Sequence, residues 1–173
     1  ACRLIKSPAE LALMQKASEI TLAAIRVGVK QLKVGMKPNE LAGIINKAQA
    51  QLGGEPDFAL CLFAEASAFP HGTKELRTLR KGDIVLMDCG CKLHGYCSDV
   101  TRTVVYGAAP TKRQREIWNL EKKAQAAGFA AAKIGVACEE IDAAARKVIT
   151  DAGFGPDYKL PGLPHRTGHG IGM

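Results

Sequence analysis

Aromatic residues make up only 5% of the 173 positions, with a single tryptophan, so the chain has little with which to stack nucleic-acid bases. It also lacks any apolar run long enough to cross a bilayer, and nothing in it reads as a signal peptide. Acidic residues are the scarcer charge, 17 against 24 Lys and Arg, which leaves a net charge of +7. The basic residues are scattered, with short clusters only at Lys74 to Lys81 and Lys112 to Arg115, a pattern of solvated faces or helix starts rather than of a nucleic-acid groove. Neither a nucleic-acid nor a membrane partner is expected.

Cysteine is present but not in a framework. A chain of this length with 47% hydrophobic residues can build a sizeable core as one domain and does not need cross-links. Cys2, Cys61, Cys89, Cys91, Cys97 and Cys138 are therefore expected to be reduced thiols in a cytoplasmic protein. Cys89, Cys91 and Cys97 have no fourth ligand at structural-zinc spacing, so they read as small core residues.

What is there begins with helix signals. Ser7-Pro8-Ala9-Glu10 has the form of a capping box with proline at the first helical position, predicting a helix to about Val27 with Leu11, Met14, Ala17, Ser18 and Thr21 on its packed stripe. Val34-Gly35-Met36-Lys37-Pro38 breaks the chain, and a second helix is expected from Pro38 to Leu52, ending at Gly53-Gly54. The pattern then recurs: Lys33-Val34-Gly35, Glu40-Leu41 and Gly53 match Lys133-Ile134-Gly135, Glu140-Ile141 and Gly153 at one constant offset. Each copy is followed by a similar tail, Phe69-Pro70-His71-Gly72-Thr73 and Leu163-Pro164-His165-Arg166-Thr167. One partial catalytic-type domain over 1–173 is expected, made of two related α/β halves, 1–80 and 110–173, with a hairpin at 82–106 between them.

That hairpin carries the chemistry. Ile84 to Cys89 is an apolar run closed by Gly90, and Cys97 to Tyr106 is a second run rich in Thr and Val. A turn centred on Leu93 and His94 would set Asp88 directly opposite Asp99 on a largely buried sheet, where two carboxylates repel and need neutralising. A divalent cation is one remedy. The other is an Asp on a solvated face with Arg102 or Lys92 as partner. His71 and His165, in equivalent places of the two copies, read either as turn residues or as functional groups on opposite sides of a cleft. His169, among the glycines of Gly168-His169-Gly170-Ile171-Gly172, suits completing a metal site as a neutral imidazole.

Pro70-His71, Asp88 followed by Gly95-Tyr96-Cys97-Ser98-Asp99-Val100-Thr101-Arg102-Thr103, and His165 with Gly168-His169-Gly170-Ile171-Gly172 together resemble the pita-bread metallopeptidases, the group of methionine aminopeptidases, Xaa-Pro aminopeptidases, prolidases and the metal-free creatinases. The tail after the second Asp resembles the proline-specific branch, and Arg3-Leu4-Ile5-Lys6-Ser7-Pro8 is similar to the start of that branch's catalytic domain. The resemblance implies an α/β pita-bread fold with two pseudo-symmetric halves, incomplete at its carboxy-terminal end. It implies metal ligation by Asp88, Asp99 and His169, with Asp99 bridging two divalent ions, manganese first and cobalt, zinc or iron as alternatives. His71 and His165 would orient the substrate and hold the developing oxyanion.

The implied reaction is hydrolysis of the bond between an amino-terminal residue and proline, in a peptide or dipeptide substrate. The family completes its site with two glutamates and a histidine downstream of the last motif. The chain is accordingly expected to be a fragment, or to be completed by a second chain or a homo-oligomer. Methionine aminopeptidase activity, metal-free C–N hydrolysis and a non-catalytic peptide-binding module are the alternatives. Retention of Asp88, Asp99 and His169 argues against the last two.

Overall fold

The computed structural model of the chain describes residues 4–74 and 77–172. Cys2, Arg3 of the opening motif, residues 75 and 76 within the Lys74 to Lys81 cluster, and Met173 lie outside the described residues. The chain divides into two compact units, 1–109 with 171–173, and 110–170.

The first unit opens with α1 (Pro8–Lys30), capped as expected. The Ser7 side chain accepts from the Glu10 N–H, and Glu10 Oε2 accepts from the Ser7 N–H at 2.6 Å. Bonding to Ser7, joined by the Tyr96 hydroxyl at 2.8 Å, holds the Glu10 carboxyl down at about 2. The helix runs one turn beyond the expected end. Its buried stripe is Ala17, Ile20, Thr21, Ala24, Ile25 and Gly28, whereas Leu11 is exposed. Gly28 lets α1 approach α2 (Pro38–Gln51) closely: a Cβ there would sit 2.8 Å from Ile45 Cγ1.

Both helices pack on an antiparallel sheet whose central strand is β2 (Ile84–Leu93). β1 (Glu55–Phe63) pairs along one edge of β2, and β3 (Tyr96–Cys97) and β4 (Val100–Val105) pair along the other. Val85, Met87, Cys89 and Cys91 of β2 are fully buried toward the helices, the first three in a core with Leu41, Ile45, Phe63 and Leu79, and Cys91 in a smaller one with Ala17 and Ile20. The alternating set Ile84, Leu86 and Asp88 lies on the other, half-buried face, as the period-two geometry of a strand requires. Cys61, Cys89 and Cys91 are buried core thiols as expected, whereas Cys97 is half-buried and Cys138 exposed.

The second unit is α3 (Lys112–Ala131) packed on α4 (Cys138–Asp151). Its helix pair repeats the first at the offset seen in the sequence. Gly35 and Gly135 both take left-handed φ, 83° and 88°, and so do Gly53 and Gly153, 88° and 85°. Gly28 against Ile45 has its counterpart in Gly128 against Ala145. After α4 the likeness stops. Where the first copy continues into β1, no strand occurs among the described residues 152–170.

Candidate functional site

The hairpin turns one residue later than the sequence reading placed it. His94 and Gly95 both have positive φ, 51° and 84°, the signature of a two-residue turn whose twist matches the flanking strands. Leu93 therefore pairs with Tyr96 and Lys92 with Cys97, and beyond a short break the same register resumes at Cys89 with Val100 and Asp88 with Thr101. Asp88 is thus opposite Thr101, whose hydroxyl donates to Asp88 Oδ1 at 2.7 Å, and is not opposite Asp99.

Since the register is the same on both sides of the break, Asp99 falls across from Gly90, on the diagonal from Asp88. Diagonal neighbours are about 7–8 Å apart rather than about 5 Å, which relieves direct repulsion while keeping both carboxylates on one face. That face is not buried: Asp88 is half-buried and Asp99 exposed, because α1 and α2 cover only the opposite side of the sheet.

Two contacts set where Asp99 lies. The adjoining Ser98 is buried, shares a 2.7 Å hydrogen bond with Thr21 Oγ1 of α1, and accepts from the Cys91 N–H at 3.0 Å. Opposite Asp99, Gly90 is the residue where a side chain would collide with the Ser98 carbonyl and the Phe58 ring. Of the two cations weighed as partners for the aspartates, Lys92 pairs with Asp57 at 2.9 Å and Arg102 donates to the Thr101 carbonyl at 2.7 Å.

His71 joins this face. With Gly72, Thr73 and Lys74 it lines a cavity of about 330 Å³ against Leu60, Cys61 and Leu62 of β1. Leu60 is the β1 partner of Asp88, so the two side chains share the open face. The segment after the cavity is anchored by Arg77, which forks onto both Asp83 oxygens at 2.7 and 2.8 Å and reaches Glu65 at 3.1 Å. The guanidinium holds the Asp83 carboxyl below the usual carboxylate range. Bonding to Cys89, and then burial, pushes the Cys61 thiol up.

His165 and His169 lie in the second unit, on the exposed segment after α4. His169 Nδ1 faces the Gly170 carbonyl at 3.0 Å. A carbonyl only accepts, so in this contact Nδ1 is the donor. His165 Nδ1 faces the Arg166 carbonyl at 2.7 Å, where the ring nitrogen is the donor because a carbonyl only accepts.

Among the described residues no three His, Cys, Asp or Glu side chains converge within either unit, and the donor set is spread over the two. Within the first unit the chemistry suits part of a divalent transition-ion site: two carboxylates on one sheet face, one of them held by a hydroxyl. The sequence reading missed Thr101 and Ser98, and with them Asp142, Arg146 and Thr167 of the second unit. The Ser-Asp-x-Thr spacing was the available signal for the first two.

The sequence profile of metallopeptidase family M24 matches residues 12–173. An uncharacterised peptidase of Schizosaccharomyces pombe is 44% identical over 99% of this chain and 38% of its own length. Among solved structures, the Xaa-Pro dipeptidase from Bacillus anthracis superposes with a TM-score of 0.88 at 32% identity, over 99% of this chain and 47% of that one. The prolidase from Pyrococcus furiosus gives 0.87 at 34% identity, over 99% and 50%. The chain thus spans half or less of the length of these relatives and carries part of their pita-bread fold.

Proposed function

Because the chain belongs to metallopeptidase family M24, we propose that it is part of the catalytic domain of a metal-dependent exopeptidase that hydrolyses the bond between an amino-terminal residue and a following proline. The observation that carries this reading is the likeness, over 99% of the chain, to the Bacillus anthracis Xaa-Pro dipeptidase and the Pyrococcus furiosus prolidase. Asp88, Asp99 and His169 would hold two divalent ions, manganese first, with cobalt, zinc or iron as alternatives. Further ligands come from the remainder of the polypeptide or from a second chain. When bound, such ions supply Lewis acidity to the scissile carbonyl and to the attacking water.

The protein's own residues do the rest of the work in this reading. The Thr101 hydroxyl orients Asp88 by taking up one lone pair of Oδ1. His71, on the rim of the 330 Å³ cavity, donates to oxygen as negative charge develops there. His165 orients the bound peptide. The substrate is a peptide or dipeptide with proline in second place, and the proposed location is the cytoplasm.

The test uses the full-length polypeptide reconstituted with Mn²⁺. It should release the first residue from Xaa-Pro peptides, leave Met-Ala peptides largely intact, and bind metal that Asp99→Asn loses together with activity. Faster turnover of Met-Ala peptides would assign the methionine branch instead. Metal content unchanged by Asp99→Asn would remove the proposed site.

A further inference from the structure

Segment 152–170 has no strand or helix among its described residues, yet it carries both histidines of the second unit. Backbone carbonyls outside a ladder need other donors. Here they find them on one side chain. Arg146 of α4 is 15% exposed and donates through Nη1 to the carbonyls of Asp157 at 2.6 Å and Leu163 at 2.8 Å, and through Nη2 to the carbonyl of His165 at 3.0 Å. Its Nε donates to Asp142 Oδ2 at 3.0 Å, one helical turn back. The Tyr158 ring lies under the guanidinium, 4.6 Å from its centroid. Asp142 extends the clamp: Oδ1 accepts from both the N–H and the hydroxyl of Thr167, each at 2.7 Å. The guanidinium, and then Thr167, holds the Asp142 carboxyl below the usual range, so it is ionised at neutral pH.

The consequence is local and specific. The peptide from His165 to Thr167 is gripped at both ends, at the His165 carbonyl by Arg146 and at the Thr167 amide by Asp142. The imidazole is tied to the carbonyl between them, that of Arg166. We propose that Arg146 and Asp142 are positioning residues that set the His165 ring, and the Thr167-Gly168-His169 segment following it, for the reaction. This rests on the role given to His165 above. A planar five-donor fork meets three carbonyls and a carboxylate at once, which an ammonium cannot do, so Arg146→Lys does not substitute for it.

The experiment is a double-mutant cycle in full-length, Mn²⁺-loaded protein, with Arg146→Met, His165→Ala and the double variant, read by kcat, KM and amide exchange. His165→Ala and Arg146→Met should each lower kcat/KM by about 10–100-fold, and the double variant should be no worse than His165→Ala alone, since the guanidinium acts through that ring. Amide exchange at Thr167 should rise in Arg146→Met and in Arg146→Lys. Full activity in His165→Ala overturns the role of His165 and not the clamp, whose exchange signature stands by itself. An impaired His165→Ala beside an unimpaired Arg146→Met, multiplying losses in the double variant, or unchanged exchange at Thr167 overturns the clamp. If Arg146→Met does not fold, Asp142→Asn, which keeps the shape and removes the charge, takes its place in the same cycle.

Discussion

Gly90→Ala is the sharpest perturbation of the hairpin that carries the aspartates. A Cβ at this position would run into the Ser98 carbonyl oxygen and the Phe58 ring, with Phe58 Cδ1 at 3.0 Å. Phe58 can turn, but the carbonyl belongs to the backbone beside Asp99 and is fixed by the Ser98 bonds to Thr21 and Cys91. Overpacking of a filled site costs about 1–3 kcal/mol, and an immovable obstacle puts this case at the upper end. The reduced freedom of the unfolded chain returns about 0.4–1 kcal/mol, so the net loss should be about 2 kcal/mol.

Gly43→Ala is the internal control: it lies in α2 with nothing within 4 Å of the added atom, and should gain about 1 kcal/mol. Urea unfolding of both variants in the full-length protein gives the two signs directly. Because the obstacle adjoins Asp99, Gly90→Ala should also weaken Mn²⁺ binding, while Gly43→Ala leaves it unchanged. A Gly90→Ala protein as stable as the parent, with full metal affinity, would refute the close approach of the two strands at Asp99 and with it the diagonal placement of the aspartates.

Ser98→Ala removes the acceptor of the Cys91 N–H and the partner of the Thr21 hydroxyl inside the core, and should cost about 1–3 kcal/mol by urea unfolding; a change within 0.5 kcal/mol, roughly the scatter of surface substitutions, would contradict the buried network. Asp83 has its native pKa lowered below the model-compound value of 3.8 by Arg77, so its contribution is present above that value and lost as pH falls through the lower native one. Melting temperatures of parent and Asp83→Asn should therefore differ at pH 7 and converge in acid; a constant gap across that range would count against the Arg77 fork. His71→Ala should lower kcat by about 10²–10³ with metal content nearly unchanged, as for loss of one oxyanion donor, whereas a side chain that only closes a turn would lower the melting temperature and leave kcat intact.

Much of the fold was legible in the sequence because its signals are local. A capping box acts over three residues, so the start of α1 at Pro8 could be read directly, and glycine at a left-handed position marks a helix end whatever surrounds it. The offset between Gly35 and Gly135, or Gly28 and Gly128, is a property of the string, and the structure repeats it turn for turn. The motifs around Asp88, Asp99 and His169 likewise sufficed for the family.

The placement of these groups was decided only by tertiary structure. Moving the turn from Leu93-His94 to His94-Gly95 is a small local change, and it replaces Asp99 by Thr101 opposite Asp88. The choice depends on which two residues accept positive φ and on Ser98 docking against Thr21, 77 positions away. Apolar runs on both strands suggested a buried site, yet two helices can cover only one face of a sheet, and they cover the odd-numbered residues of β2. The second tail has the same proline and histidine as the first, and like it forms no strand. Its order comes instead from Arg146 and Asp142, which lie 19 and 25 residues before the groups they hold. No periodicity in the sequence records that reach, because it is a matching of one side chain's donors to carbonyls that only the folded loop brings together.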